Sequence, residues 1–96
     1  MKTRKEIEQR LVELKPELVE KFSVQTIGYF GSFADGQQSG QSDLDLLVRF
    51  SKPIGWKFFT LEKFLEEHLG LSIDLVTEDA LKSRFKEKIL QQVRFV

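Results

Sequence analysis

The chain has 96 residues, 15 Lys+Arg against 15 Asp+Glu, and no cysteine. That length supports one small core, a single domain over residues 1–96, but not a core plus a separate acceptor domain. The balanced charge disfavours a protein that grips duplex nucleic acid by its backbone, and the missing cysteines exclude disulfides, zinc thiolates and thiol nucleophiles. No apolar run approaches the roughly 20 residues of a membrane span, and Met1-Lys2-Thr3-Arg4-Lys5 leads into a charged helical pattern instead of a signal core, so a cytoplasmic protein is expected.

From Lys5 to Phe22, Ile7, Leu11, Leu14, Leu18 and Phe22 recur at three- and four-residue intervals, the stripe of an amphipathic helix. Pro16 interrupts the run, and because proline is disfavoured inside a helix but welcome in a first turn, a break near Leu14 with a restart at Pro16 is expected. Val24 to Phe30 is short and rich in strand formers, and it ends at Gly31-Ser32. Ser32 to Gly36 forms a short helical turn, Gln37 to Ser42 a polar loop, and Leu44 to Phe50 a second strand closed by the turn Lys52-Pro53-Ile54-Gly55.

Trp56 to Leu69 carries Phe58, Leu61, Phe64, Leu65 and Leu69 at helical spacing, with Gly70 at the capping position. Trp56 and Phe59 fall off this stripe; they offer a surface for a partner or for a homo- or hetero-oligomer, although core packing is the expected place for them in so small a domain. His68 is read as a structural or solvated residue near the helix C-terminus. Ser72 to Thr77 is a third strand, and Glu78 to Gln91 a last helix with Leu81, Phe85, Ile89 and Leu90 inward and Lys82, Arg84, Lys86 and Lys88 solvated. Val93 to Val96 adds a short extended end. The order of elements gives an α/β (α+β) domain, a small mixed sheet flanked by helices.

The chemistry is concentrated in a few residues. Asp43 and Asp45 alternate with leucine at the start of the second strand, so their side chains share a face with Cα atoms about 6–7 Å apart. Asp45 interrupts an apolar strand, where an unpaired carboxylate is costly and a bound cation offsets the cost. Asp74 interrupts the third strand in the same way, with Ile73 and Leu75 turned to the core. If the two strands are neighbours, three carboxylates converge as hard oxygen ligands suited to Mg²⁺. Gly31-Ser32 permits close backbone approach and free N–H groups for an anion. Together these residues point to a two-metal, in-line displacement on a nucleoside triphosphate, with Asp74 on the acceptor side.

Gly31-Ser32, ten intervening residues and Asp43-Leu44-Asp45, followed by Ile73-Asp74-Leu75-Val76, resemble the signature of the DNA polymerase β-like nucleotidyltransferase superfamily, above all its minimal nucleotidyltransferases. The similarity runs from Lys15-Pro16-Glu17-Leu18 to Ile89. The resemblance implies the polymerase β-like nucleotidyltransferase fold, two Mg²⁺ ions on Asp43, Asp45 and Asp74, ATP as substrate, and triphosphate contact by Gly31 and Ser32. It further implies an antitoxin that transfers AMP in trans to a tyrosine of a HEPN-domain ribonuclease toxin. A small-molecule nucleotidyltransferase of the antibiotic type and an antitoxin acting by contact alone are the alternatives. Asp35 departs from the pattern: the family usually carries arginine just before the second glycine, and the exchange implies either weaker phosphate binding, if that arginine neutralises phosphates, or a surface helix position tolerant of change.

Overall fold

The computed structural model describes residues 3–37 and 43–96. Most of the polar loop expected over Gln37 to Ser42 therefore lies outside the described residues. The elements follow in the order α1 (Arg4–Phe22), β1 (Val24–Phe30), α2 (Ser32–Asp35), β2 (Leu44–Phe50), α3 (Lys57–Leu69), β3 (Ile73–Thr77), a 3₁₀ turn (Glu78–Ala80), α4 (Ser83–Gln92) and β4 (Arg94–Phe95). The sheet order is β3-β2-β1-β4. β1 pairs antiparallel with β2 and β4, whereas β2 and β3 run parallel, joined through α3. This is the small mixed sheet flanked by helices that the element order implied.

The five residues of the α1 stripe are all buried, and they meet Ile27 and Tyr29 of β1, Leu44, Leu46 and Val48 of β2, Leu61, Leu65 and Leu69 of α3, and Ile73 and Leu75 of β3 in one core cluster. The break expected at Pro16 does not occur. α1 is continuous through it. A proline inside a helix costs about 3 kcal/mol, but each large apolar side chain buried by the continuous stripe contributes about 1.5–3 kcal/mol, so the five together outweigh the lost bond. Val12 is exposed, and its carbonyl, which loses its amide partner to Pro16, is on the water side of the helix. Ser23 ends the helix in a left-handed conformation at φ 56°.

The second half of the chain corrects three other expectations. The continuous helix over Glu78 to Gln91 is instead a 3₁₀ turn and a separate α4, because Leu81 and Lys82 are extended between them. None of the ten residues of α4 is buried, and Phe85 and Leu90, expected inward, are 47% and 37% exposed. They fail to bury because the core cluster draws on α1, α3 and the sheet, and α4 contributes nothing to it. Trp56, for which core packing was expected, precedes α3 and is 85% exposed, stacked on exposed Phe59 with ring centroids 5.7 Å apart. Its place at the helix entry puts it beyond the buried Leu61, Leu65 and Leu69 face.

Other details follow the sequence. His68 packs on Phe64 at 4.1 Å between centroids, with its Nδ1 2.8 Å from the Phe64 carbonyl. Residues Arg94–Phe95 form the short extended end, which docks against β1 where Gly28 has no side chain; a Cβ there would meet the Arg94 carbonyl and the Val93 side chain. Among the described residues no helix is long and apolar enough to cross a membrane.

Candidate active site

The parallel pairing of β2 with β3 decides the site. The Leu44 amide donates to the Ser72 carbonyl at 2.9 Å, and the register that follows sets Leu44 beside Ile73, Asp45 beside Asp74 and Leu46 beside Leu75. Leu44, Leu46, Ile73 and Leu75 turn into the core, so the alternation of strand side chains sends Asp45 and Asp74 together to the opposite face. The Ile73 amide donates to Glu66 Oε2 of α3 at 3.4 Å, tying the start of β3 to the helix before it.

Asp45 also stands across from Phe30, the last residue of β1, in the antiparallel pair. The next residue, Gly31, has φ 74° and ψ −145°, a conformation that L side chains rarely adopt. A Cβ built on Gly31 would fall well inside van der Waals contact with Asp45 Oδ2. Glycine is thus required twice, by its dihedral angles and by the carboxylate against it. Ser32 then opens α2, which ends at Gly36 with φ 74°, as the short turn predicted from Ser32 to Gly36 requires.

The five residues singled out from sequence do not contribute equally. Asp45 is the meeting point, with Gly31 on one side and Asp74 on the other. Asp43 lies just outside the start of β2 and is exposed, close enough for its charge to act on Asp45. Ser32 is half-buried at the head of α2. Asp35 is exposed on the same short helix, its amide donating to the Gly31 carbonyl at 3.1 Å.

The electrostatics follow from this crowding. Burial first, then the charges of Asp74 and Asp43 and a hydrogen bond with Asp74, push the Asp45 carboxyl up to about 6. Two carboxylates in one register, one half-buried, cannot both ionise at low cost unless a proton or a cation lies between them. Among the described residues no group of three or more acidic, histidine or cysteine side chains is gathered closely enough to hold a metal ion, so the convergence of three carboxylates expected from sequence is met only by the Asp45–Asp74 pair. The donor set therefore suits a hard cation held by one or two carboxylates and completed by water and substrate phosphates, which is the usual manner of Mg²⁺.

Two supports of the site carried no signal in the composition or the apolar stripes. The buried Tyr29 hydroxyl donates to Glu8 of α1, and burial, with Glu8 beside it, pushes the phenol up to about 12. Arg4 Nη1 donates to the Ala34 carbonyl of α2 at 3.0 Å. Only the Thr3-x-x-Glu6 capping pattern, visible in the sequence, could have placed Arg4 at a helix start.

A glycine-serine turn against two strand carboxylates is the frame in which the comparisons with known proteins fall. A family model for the nucleotidyltransferase domain matches residues 11–96. The chain belongs to that family. It is 44% identical over 97 residues to the protein adenylyltransferase MntA of Thermococcus cleftensis, covering 100% of this chain and 98% of that protein. A solved structure of a candidate minimal nucleotidyltransferase superposes with TM-score 0.83 at 29% identity, covering 97% of this chain and 95% of the other. In fold it is also similar to a chain of a toxin–antitoxin crystal structure with AMP-PNP (TM-score 0.75, 22% identity, 92% of this chain and 70% of that one). A complex of tri-AMPylated Shewanella oneidensis HEPN toxin with MNT antitoxin gives TM-score 0.69 at 18% identity, over 97% of this chain and 71% of that one. The nucleotidyltransferase fold inferred from the spaced motif is thereby established, in the compact form that the minimal members of the family share.

Proposed function

We propose that this minimal nucleotidyltransferase moves AMP from ATP to a tyrosine hydroxyl of a HEPN-type toxin, and so acts as its antitoxin. The observation that carries the chemistry is the meeting of Gly31 with Asp45, and of Asp45 with Asp74, at one end of the sheet. The 44% identity to a protein adenylyltransferase over the whole chain supports the reaction, and the toxin–antitoxin complexes among the fold neighbours support the kind of acceptor.

In this mechanism Asp45 and Asp74, with Asp43 at the rim, would hold Mg²⁺, which would supply charge neutralisation for the triphosphate and the departing pyrophosphate and a lowered pKa for the acceptor hydroxyl. The bare Gly31 backbone and Ser32 receive the triphosphate. Asp74, the exposed member of the pair, faces the acceptor and takes the hydroxyl proton. With a cation balancing its neighbours, Asp45 would be held ionised. Attack of the hydroxyl oxygen on the α-phosphorus forms the AMP–tyrosine bond as the bond to pyrophosphate breaks in line.

The test is incubation with ATP labelled in its α-phosphate and adenosine, Mg²⁺ and the product of the adjacent gene. Label should appear on a tyrosine of the partner and vanish with Asp45→Ala or Asp43→Ala. Neutralisation of the partner that survives both substitutions without label would establish the contact-only antitoxin. Transfer to an aminoglycoside-type hydroxyl compound but not to protein would establish the small-molecule enzyme.

A further inference from the structure

We propose that Arg4 is a positioning residue for nucleotide binding, acting through the Gly31-Ser32 turn; the inference rests on the reading that this turn receives the triphosphate. α2 has four residues and is too short to hold its own geometry. Its carbonyls can be followed one by one. The Gly31 carbonyl accepts from the Asp35 amide at 3.1 Å, Ser32 from Gln37 at 2.8 Å, and Phe33 from Gly36 at 3.4 Å. Ala34 is next, it is 6% exposed, and its carbonyl takes the Arg4 guanidinium at 3.0 Å. A buried carbonyl without a donor would be costly, and the charged donor makes this bond one of the stronger kind.

Arg4 can do this because its own place is fixed. It is the first residue of α1, and Thr3 caps that helix: Thr3 Oγ1 accepts from the Glu6 amide at 3.2 Å and donates to Glu6 Oε1 at 3.2 Å. Ile7 and Leu11, fully buried, seat the same turns in the core. One helical turn beyond Arg4, Glu8 accepts from the Tyr29 hydroxyl. α1 therefore grips the chain on both sides of the turn, at Tyr29 two residues before Gly31 and at Ala34 two residues after Ser32. The strained glycine against Asp45 lies between these two clamps. Freeing the second clamp lets the turn relax from the shape that receives phosphate, while the carboxylates on β2 and β3 keep their register.

The assay compares wild type, Arg4→Ala, Arg4→Lys and Val24→Ala as full-length protein, in AMP transfer and in calorimetric binding of AMP-PNP with Mg²⁺. Arg4→Ala is expected to raise the KM for ATP and the AMP-PNP dissociation constant by about tenfold, with kcat within about twofold. Arg4→Lys, which returns a cationic donor to Ala34, recovers most of that loss. Val24→Ala, buried at the end of β1 away from Gly31, lowers the melting temperature but leaves AMP-PNP affinity within about twofold. Unchanged AMP-PNP affinity in Arg4→Ala overturns the proposal, as does a loss of affinity in Val24→Ala as large as that in Arg4→Ala. Wild type that fails to bind AMP-PNP refutes the reading of the site itself; wild type that binds while Arg4→Ala binds equally refutes only the role of Arg4.

Discussion

Replacing Asp45 by asparagine in the metal-free protein should make it more stable, and the gain should depend on pH. In the folded state burial, the charges of Asp74 and Asp43 and the hydrogen bond with Asp74 push the Asp45 carboxyl from its ordinary 3.8 up to about 6. Between those values the folded protein binds more protons at this group than the unfolded chain does, so stability falls as pH rises through the window. The contribution is fully present below about 3.8 and lost above about 6. A shift of two pH units corresponds to roughly 3 kcal/mol, and because the carboxyl is only half-buried, solvent screening reduces this to about 1–2 kcal/mol. The asparagine side chain has no charge to desolvate, so at pH 8 with EDTA the Asp45→Asn variant should exceed wild type by about 1–2 kcal/mol, or by roughly 5–10 °C in melting temperature for a domain of this size. Urea unfolding followed by far-UV circular dichroism is the assay, since exposed Trp56 is a weak fluorescence reporter of the core. At pH 4 the two proteins should differ little. A variant less stable than wild type at pH 8, or a difference of the same size at both pH values, would refute the argument.

Gly31→Ala should cost about 2–4 kcal/mol, from the positive φ together with the overlap on Asp45 Oδ2, and should abolish AMP-PNP binding in calorimetry. Pro16→Ala restores an amide to the exposed side of α1 and should stabilise the protein by about 1–2 kcal/mol in urea titrations; loss of stability would mean that the helix depends on the proline. Asp35→Arg places a cation on the exposed side of α2 and should tighten ATP binding several-fold at low salt, with the gain shrinking as salt screens it. An unchanged dissociation constant would show that position 35 does not meet the phosphates.

The core of this protein was legible because its periodicities are strong. Ile7 to Phe22 at helical spacing, and the alternation around Asp45 and Asp74, can be satisfied only by burying one side of each element. The residue types of the site were legible for a related reason: a carboxylate in the middle of an apolar strand is too costly to stand there without a task. Where sequence reading went astray, local preference had been weighed without its surroundings. Pro16 stays helical because five buried neighbours outweigh one lost hydrogen bond, and Phe85 and Leu90 are exposed because an amphipathic pattern cannot say whether a second layer exists to cover it.

By itself, then, the sequence determined the strands, the apolar stripes of α1 and α3, and the choice of Gly31, Ser32, Asp43, Asp45 and Asp74 as the candidate site. Only the tertiary structure decided that β2 and β3 lie side by side in parallel, in the one register that sets Asp45 against Asp74, and that the bare Gly31 backbone comes up against the Asp45 carboxylate. It alone decided that Arg4 and Glu8 reach Ala34 and Tyr29, some 20 to 30 residues away, to bracket the turn. Strand pairing and side-chain reach across the fold are long-range choices, fixed by how the faces pack and not by any neighbour in the chain.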